Sequence, residues 1–414
     1  MTVNPAAQAA QALKEGETGG NKRLRIAVLN RVFSPTGGGA ERYSIALVEQ
    51  LASRHDIHVF AQQIEHHWTG VTYHRMPTLL RKPRWLNQLW FATLTWWMTR
   101  RGFDVVHSHE NTWHGNVQTV HVLPVKHNLF KGRNGLARAV RWLKVLTSPR
   151  LLAYLVLERC RFTLKPKRQI VVTSDSLQTV MAATYPGCVA ALSVITPGFS
   201  PSAERSSRLP AVEQQTARVK FKLPVTSTCW LLVANDFRKK GLNTALDALA
   251  KLPSHHVLAV VGNPVQAPEF QPQISRLNLT TRVFFLGRLA DVTEAYRAAN
   301  YLVHPTLEDT FAMVVLEALA FRLPVVVSGP QFCGISGLLQ HQLNAWLLND
   351  PTDAQALADA IRILDADEPL RDAMSGNAAI FAKGYRWEGI AAQQEVVYRL
   401  ASDSRRSPSD AEKR

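Results

Sequence analysis

Short apolar runs alternate with amphipathic stretches along the first half of the chain. The first run, RLRIAVLNRVF (23–33), is typical of a buried strand, and a glycine loop and a helix follow it in SPTGGGAERYSIALVEQLASR (34–54). Four further runs have strand character: IHVFAQQ (57–63), GFDVVHSH (102–109), VQTVHVL (117–123) and RQIVVTSDS (168–176). The helical stretches between them predict a mostly parallel sheet that is covered by helices.

The same alternation restarts in the second half of the chain. Its strand-like runs are CWLLVANDF (229–237), HVLAVVGNP (256–264), RVFFLG (282–287), NYLVHPT (300–306) and LPVVVSGP (323–330). Helical stretches lie between them: LNTALDALAKL (242–252), DVTEAYRAA (291–299) and MVVLEALAF (313–321). We therefore predict an α/β fold of two doubly wound units with a cleft between them. In open α/β sheets, ligands collect at the carboxyl ends of the strands.

Domain boundaries follow from this restart. The two units join near ITPGFSPSAERSS (195–207), and a final helix, WEGIAAQQEVVYRLA (387–401), follows the second unit. We expect disordered tails over 1–22 and 403–414, a first domain over 23–198 and a second domain over 199–385. A helical segment over 386–402 is expected to pack back on the first domain.

Composition narrows the class of protein. The 414 residues are 46% hydrophobic and 19% charged, which is enough apolar material for full cores. The four cysteines are scattered and form no CxxC pair, so we expect neither a disulfide framework nor a zinc site. A reducing compartment is therefore expected. The first 22 residues contain no apolar run of the kind found in signal peptides.

The positive charge is concentrated in the first half. Residues 1–200 contain 25 lysines and arginines but 10 aspartates and glutamates, which accounts for nearly all of the net charge of +16. A field confined to one domain favours contact with an anionic surface, such as nucleic acid or membrane lipid, over a merely solvated basic face.

Two segments of the basic half suit a lipid interface. Segment 81–101 has four tryptophans between basic ends, and segment 131–168 mixes basic residues with Trp and Leu at helical spacing. Neither has an apolar stretch of the roughly 20 residues that a bilayer-spanning helix needs. Ordinary amphipathic helices packed on the sheet are the alternative, and the charge of the domain favours membrane contact.

An acidic residue lies inside the apolar run of the second half. Glu317 is flanked by MVVL and ALA, and an ionised carboxylate in such a helix needs a partner. The helix is expected to start near Ala312, so the free amides of Ala312, Met313, Val314 and Val315 suit a diphosphate. Glu317 would then accept hydrogen bonds from ribose hydroxyls. The alternative for Glu317 is a buried salt bridge, with Arg322 or Arg288 as the partner.

Other candidate ligands also follow strands. Asp309 precedes the same helix, where it is either a sugar-binding residue or a helix cap. A glycine loop leads from the first strand into a helix and contains Gly37, Gly38 and Gly39. This loop either lets the backbone approach an anion closely or is a plain tight turn. The cations Arg238, Lys239 and Lys240 follow a strand of the second unit and suit phosphates, although charge runs are normally solvated.

These residues resemble glycosyltransferase family 4, which has the GT-B fold of two Rossmann-like domains facing an interdomain cleft. The family pattern E-G-F-G-x-x-x-x-E-A stands here as DTFAMVVLEA, with Asp309 for the first Glu, Ala312 for the Gly, and Glu317 kept. The glycine loop, DVVHSHE (104–110), TVHVLP (119–124) and NDFRKKGLNTALDAL are similar to further family motifs, with Asn235 at the usual arginine position. The stretch 304–336 is most like the lipopolysaccharide core glucosyltransferase I branch.

The resemblance implies a role for each matching residue. Lys240, with Arg238 or Lys239, would neutralise the departing diphosphate with help from the amides of Met313, Val314 and Val315. Glu317 would hold the donor ribose, and Asp309 would bind hydroxyls of the transferred sugar. Gly38 and Gly39 would lie close to the donor phosphates or the acceptor. His121 matches a family histidine that approaches the donor sugar, and His109 is a lesser candidate.

The implied activity is retaining transfer of a hexose from a nucleotide sugar, with UDP-sugar as the expected donor and lipopolysaccharide core as an expected acceptor. The expected location is the inner face of the cytoplasmic membrane, where the protein would be peripheral. No cofactor is expected. Metal-dependent transferases commonly use a DxD motif, but the one DxD sequence here, DAD (365–367), lies in a helical stretch and is interpreted as solvated surface, so no metal is expected either. The alternatives are a nucleotide-sugar epimerase and a non-catalytic protein that binds anions or nucleic acid. No nucleic-acid motif supports the latter.

Overall fold

The computed structural model of the protein describes residues 23–80, 82–200 and 210–402. Both expected disordered tails, 1–22 and 403–414, lie outside the described residues. The described residues form two compact units: the first comprises those up to residue 196 and those from residue 387 onward, and the second comprises those between residues 197 and 386.

The first unit contains a seven-stranded parallel sheet of order β5-β3-β1-β6-β7-β8-β9 and a small pair, β2-β4. Its strands are β1 (Arg25–Leu29), β2 (Val32–Phe33), β3 (Asp56–Ala61), β4 (Gln63–Ile64), β5 (Val71–Arg75), β6 (Val105–Ser108), β7 (Val117–Val120), β8 (Gln169–Val172) and β9 (Leu192–Val194). Its helices are α1 (Gly39–Leu51), α2 (Arg84–Thr99), α3 (Val125–Phe130), α4 (Gly135–Leu146), α5 (Pro149–Phe162), α6 (Asp175–Thr184) and, at the end of the described chain, Trp387–Ser402.

The second unit contains a six-stranded parallel sheet of order β12-β11-β10-β13-β14-β15. Its strands are β10 (Thr228–Ala234), β11 (His256–Gly262), β12 (Val283–Gly287), β13 (Tyr301–His304), β14 (Val325–Ser328) and β15 (Trp346–Leu348). Its helices are α7 (Ala211–Lys220), α8 (Leu242–Leu249), α9 (Ala267–Arg276), α10 (Thr293–Ala298), α11 (Met313–Ala320), α12 (Ala354–Ala366) and α13 (Glu368–Ala382). The last helix of the first unit, Trp387–Ser402, is α14.

Each central strand buries side chains on both faces of its sheet. On β10, Leu231 belongs to one apolar core, whereas Trp230 and Leu232 belong to the core on the opposite face. Alternate residues of a strand point to opposite faces, so a strand covered on both sides needs an unbroken apolar run. This requirement explains why the central strands were predicted from apolar runs alone.

The single strand predicted over 23–33 is wrong in one respect. It ends at Leu29, and Val32 and Phe33 pair instead with Gln63 and Ile64 in the small second sheet. The backbone oxygen of Arg31 accepts from the amides of Gln62 and Gln63, which fixes this separate pairing. An apolar run does not reveal a change of pairing partner.

The edge strands β5, β9 and β15 were not predicted. Each has a strand neighbour on only one side, and their side chains are mostly half-buried or exposed. An edge strand therefore needs no continuous apolar run, and its short sequence is not distinctive.

Helix α14 packs on the sheet of the first unit. The Tyr398 hydroxyl lies 2.7 Å from Nδ1 of His107 on β6, and Nδ2 of Asn116 donates to the Ala401 carbonyl oxygen over 3.3 Å. The Arg54 guanidinium is also paired with the Glu395 carboxylate.

Candidate functional site

Two loops at the carboxyl edge of the second sheet are held together by their backbones. The first follows β10 and ends at Gly241, which has a φ of +79°. A Cβ at this glycine would lie 1.9 Å from the Pro305 carbonyl oxygen in the loop after β13, so only glycine permits the approach. The Leu307 amide also donates to the Lys239 carbonyl oxygen over 2.8 Å.

This approach places Lys240 beside Asp309. The ammonium nitrogen of Lys240 lies 2.7 Å from Asp309 Oδ2 and 2.8 Å from the Glu308 carbonyl oxygen. Nε2 of the buried His304 contacts the same Asp309 oxygen over 3.2 Å. Burial by itself raises the pKa of the Asp309 carboxyl, but the Lys240 charge and the His304 contact outweigh it and hold this pKa well below its usual range. The site therefore presents a lysine cation whose counter-ion stays ionised.

The second oxygen of Asp309 orders the turn that precedes α11 but does not cap the helix, whose N-cap position is Ala312, so the helix-cap alternative from the sequence is wrong. Oδ1 accepts from the amides of Phe311 and Ala312 over 3.2 and 2.9 Å, immediately before α11. Ala312 has a φ of +71°, a left-handed conformation that glycine adopts without strain. This conformation gives a physical reason for the glycine that the family motif has at this position.

The first turn of α11 has both engaged and open amides. The Ala312 amide is bonded to Asp309, and the Val315 amide donates to the Ala312 carbonyl oxygen over 3.0 Å. Among the described residues, the amides of Met313 and Val314 have no such partner. These two amides are therefore the ones available to an anion at the helix N-terminus.

Glu317 is on the next turn of α11 and is only 6% exposed. Its Oε2 accepts a 2.8 Å hydrogen bond from the hydroxyl of Tyr296, a buried residue of α10. The sequence did not reveal Tyr296 as the partner of Glu317, because the two residues are 21 positions apart and belong to different helices. DVTEAYRAA was recognised only as a helix.

Arg238 and Lys239 are exposed on the loop after β10. The Arg238 guanidinium is paired with Glu269, and the Lys239 ammonium lies 3.3 Å from Glu308 Oε1. Exposed ion pairs of this kind contribute little and exchange readily. Lys240 differs from both, because it is half-buried and held by two acceptors.

In the first unit, Gly38 and Gly39 form the entry to α1. The Gly38 amide donates to Glu41 Oε2 over 2.7 Å, and α1 begins at Gly39. A Cβ at Gly37 would lie 2.8 Å from Cβ and Cγ of Glu41, so the turn is tight. The glycine loop is thus closed around a carboxylate of its own helix in this structure.

The histidines of the first unit form a cluster at the carboxyl ends of β6 and β7. Nδ1 of His109 lies 2.9 Å from Nε2 of His121, and their rings are stacked. The Tyr43 ring packs edge-on against His121, with the ring centroids 5.0 Å apart. Burial, together with the positive charge of Arg161, lowers the pKa of His121 to about 3. His121 is therefore neutral near pH 7, and suits a hydrogen-bonding role better than that of a charged acid.

His107, on β6, lies next to this cluster and should make the free energy of unfolding depend on pH. It is fully buried between the Thr119 hydroxyl and the Tyr398 hydroxyl, each 2.7 Å from a ring nitrogen. Burial lowers its pKa to about 3, and the charge that His121 gains when it is protonated and the charge of Arg161 add to this effect.

We expect the free energy of unfolding to fall as the pH drops from about 6.5 towards 3, because the unfolded His107 gains a proton that the folded one excludes. In urea unfolding, the stability advantage of the wild type over His107→Gln should shrink by about 2 kcal/mol between about pH 6.5 and pH 5. A difference between the two proteins that does not change with pH would contradict this prediction.

The described residues contain no group of three or more His, Cys, Asp or Glu side chains arranged to hold a metal ion. The DAD sequence was expected to be solvated surface, but two of its residues have partners within the fold. Asp365 accepts from the Tyr301 hydroxyl over 2.5 Å and lies near His256, and Asp367 caps α13 by accepting from the Leu370 amide.

Comparison with known proteins identifies both units. Residues 37–203 match the model of Glycosyltransferase Family 4, and residues 213–380 match that of Glycosyl transferases group 1. The lipopolysaccharide glucosyltransferase WaaG of Escherichia coli (strain K12) is 26% identical over 232 residues, which are 55% of this chain and 61% of the relative. A D-inositol 3-phosphate glycosyltransferase of Corynebacterium urealyticum is 28% identical over 247 residues, which are 56% of each. The match thus spans about half to three-fifths of these curated relatives.

Solved structures share the fold. The crystal structure of WaaG aligns with a TM-score of 0.77 at 21% identity, covering 91% of this chain and 99% of that one. Anabaena HepE in complex with UDP-glucose aligns with a TM-score of 0.72 at 19% identity, covering 92% and 100%. Because one family model falls in each unit and the fold is that of GT-B enzymes, the chain belongs to the glycosyltransferases, with a family 4 region followed by a group 1 region.

Proposed function

We propose that the protein transfers a hexose from a UDP-sugar to a cell-envelope glycolipid such as lipopolysaccharide core, with retention at the anomeric carbon and without a metal ion. The observation that carries the proposal is the Lys240–Asp309 pair beside the N-terminus of α11. The names of the relatives support the class of donor and acceptor: one is a lipopolysaccharide glucosyltransferase, and another solved neighbour holds UDP-glucose.

Lys240 and the open amides of Met313 and Val314 would hold the donor diphosphate. In the transition state the bond from the anomeric carbon to the phosphate oxygen breaks, and negative charge grows on the diphosphate. A cation and helix-terminus amides stabilise such charge because they are already oriented towards it. This arrangement supplies the charge stabilisation that a divalent metal would otherwise provide.

The remaining roles concern the donor sugars and the proton. Glu317 would accept from the ribose hydroxyls, and Asp309 would bind hydroxyls of the hexose. His121, in the first unit, stays a prediction as the histidine that approaches the hexose. The acceptor hydroxyl would attack from the leaving-group side, and its proton would pass to the departing phosphate oxygen. The new bond joins the acceptor oxygen to the anomeric carbon, so no protein nucleophile is needed.

Helix α4 of the first unit would contact the membrane that contains the acceptor. Among the residues of this helix only Val145 is buried, whereas Leu136 is 81% exposed and Val140, Leu143 and Leu146 are also exposed. Arg138, Arg141 and Lys144 are on the same helix. An apolar stripe flanked by cations suits the interface of an anionic leaflet, where the protein would be peripheral on the cytoplasmic side.

The segment 81–101 supports membrane contact less strongly than α4 does. Helix α2 buries Phe91 against apolar side chains of the sheet, and leaves Trp96 and Trp97 exposed at its end. No helix of the described residues is long and apolar enough to cross a bilayer.

The double variant Leu136→Glu, Leu143→Glu should bind anionic vesicles at least about tenfold more weakly, since each lost leucine removes about 1.5–3 kcal/mol of apolar burial. Co-sedimentation with vesicles of phosphatidylglycerol and phosphatidylcholine measures this binding. Val212→Glu, at an exposed position of the second unit, is the matched control and should behave as wild type. Equal binding by the double variant and the wild type would exclude α4 as the contact.

The activity itself is tested by a donor screen followed by turnover. Thermal shift with UDP-sugars and GDP-sugars should identify a stabilising UDP-sugar. That donor should then be consumed only when an envelope glycolipid is added, and a chelator should leave the rate unchanged. Loss of activity with the chelator and its return with manganese would contradict metal independence. Isomerisation of the donor without an acceptor would indicate an epimerase instead.

A further inference from the structure

The loop that carries His121 is held at one end by a buried carboxylate of another helix. This loop joins β7 to α3, and the carboxylate belongs to Glu158 on α5, which is only 5% exposed. Glu158 Oε1 accepts from the Val125 amide over 2.6 Å, and Oε2 accepts from the Lys126 amide over 2.9 Å. Two amides that donate to one ionised carboxylate form a charge-assisted contact, which fixes the direction of the backbone as well as its distance.

The N-terminus of α3 has no side-chain cap from its own N-cap residue. That residue is Pro124, whose ring offers no hydrogen-bond acceptor. The amides of the first turn therefore depend on Glu158, and the partial positive charge of a helix N-terminus favours a carboxylate at this place. The Tyr185 hydroxyl also donates to Glu158 Oε2 over 2.7 Å. The carboxylate thus has three donors, all of them within the first unit.

The strand before this loop is held by Arg161, one turn further along α5. Its Nε donates to Gln118 Oε1 over 2.9 Å, and its Nη2 donates to the Thr119 carbonyl oxygen over 2.6 Å, both on β7. Side chains three residues apart lie on the same face of a helix, so one face of α5 provides both Arg161 and Glu158. His121 lies between the two anchored positions, two residues after Thr119 and shortly before α3 begins.

The loop depends on these anchors, because its own side chains bury only part of their surface. Val122, directly after His121, is 68% exposed, and Leu123 is half-buried. A loop with little apolar burial of its own takes its position from the hydrogen bonds at its ends. The position of the His121 ring therefore follows from where the backbone on either side of it is held.

We propose that Glu158 is a positioning residue for the transfer reaction, which fixes the place of the His121 imidazole through the two amides at the start of α3. The inference rests on the proposed function, in which His121 approaches the hexose. Glu158 acts through the loop rather than on the substrate, because its three donors are groups of the protein itself. Rates depend steeply on such placement, since a misplacement of about 1 Å can cost about a hundredfold.

Glu158→Gln tests the inference by steady-state kinetics. Glutamine offers one acceptor oxygen where glutamate offers two, so one of the two α3 amides loses its partner. We expect kcat to fall about tenfold to a hundredfold, while the KM for the donor and the affinity for uridine diphosphate stay within about twofold of wild type. Glu158→Asp keeps the charge but shortens the side chain. It should show the same pattern, and it replaces the glutamine variant if that variant does not fold.

Glu395→Gln is the matched control for lost stability. Glu395 is another buried carboxylate of the first unit, on α14, where it pairs with Arg54 and Arg399. Both glutamine variants should be less stable than wild type in urea unfolding, since each removes a buried charge from its partners. Only Glu158→Gln should lose turnover. An equal fall of kcat in both variants would overturn the proposal, because it would reduce the effect of Glu158 to stability.

The ring signals of His121 in NMR report its placement independently of turnover. They are assigned by their loss in His121→Gln. Glu158→Gln should shift them, whereas Glu395→Gln should leave them in place. A wild type that transfers no hexose from any UDP-sugar would contradict the proposed function, and the NMR comparison would still decide whether Glu158 positions His121. Unmoved His121 signals or an unchanged kcat in Glu158→Gln would overturn the role of Glu158 itself.

Discussion

Replacing Lys240 with alanine should lower kcat for glycosyl transfer by about 10²–10³-fold, the cost of removing one preorganised group that stabilises transition-state charge. The ammonium is held in place before any substrate binds, because Asp309 Oδ2 and the Glu308 carbonyl oxygen both accept from it. If the proposed function is correct, its stabilisation of the diphosphate would therefore require no reorganisation during the reaction. Steady-state kinetics with the donor identified by the thermal screen measure the loss.

The controls separate charge at this position from charge in general. Lys251→Ala removes an exposed lysine of the same unit and should keep wild-type kinetics. Lys240→Arg keeps a cation but changes its geometry, so it should recover only part of the rate. Wild-type turnover in Lys240→Ala, with unchanged nucleotide affinity, would remove this lysine from the site.

Asp309→Asn distinguishes the two uses of that carboxylate. The side-chain oxygen of asparagine accepts hydrogen bonds as the carboxylate oxygen does, so the bonds to the Phe311 and Ala312 amides should survive. The ion pair with Lys240 is lost, and a hydroxyl of the hexose loses a charged acceptor. A fall in turnover without a fall in stability would assign the residue to the reaction rather than to the helix end.

Replacing Glu317 with alanine should weaken nucleotide binding by about tenfold to a hundredfold, because hydrogen bonds to a charged acceptor contribute about 1.5–3 kcal/mol. Glu317 is nearly buried one turn from the open amides of α11. The ribose of a nucleotide whose diphosphate is held by those amides would lie within its reach. Isothermal titration with the uridine diphosphate product measures the affinity without any contribution from catalysis.

Tyr296→Phe is the matched control for this residue. It deletes only the hydroxyl that donates to Glu317 Oε2, and keeps the ring that packs against Phe321. If Glu317 holds the ribose, this variant should bind the nucleotide within a few-fold of wild type, whereas Glu317→Gln should not. If instead Glu317→Gln keeps full affinity, and both variants lose similar stability, the carboxylate serves only the α10–α11 packing.

The sequence determined the two parallel α/β units and the positions of the candidate site residues in the second one. Central strands are covered on both faces, so their apolar runs identify them without any knowledge of their neighbours. The burial of Glu317 and the strand-end positions of Lys240 and Asp309 were also readable, because each depends on the local sequence. The family resemblance then gave these positions their expected roles, and both family models match the chain.

Only the tertiary structure decided which of these groups meet. The contact between Lys240 and Asp309 joins residues 69 positions apart, and it depends on the close approach of Gly241 to Pro305. The Tyr296 partner of Glu317 likewise comes from packing between two helices. Local patterns encode burial and backbone preference, whereas pairing between distant side chains depends on how strands and loops are ordered in the sheet.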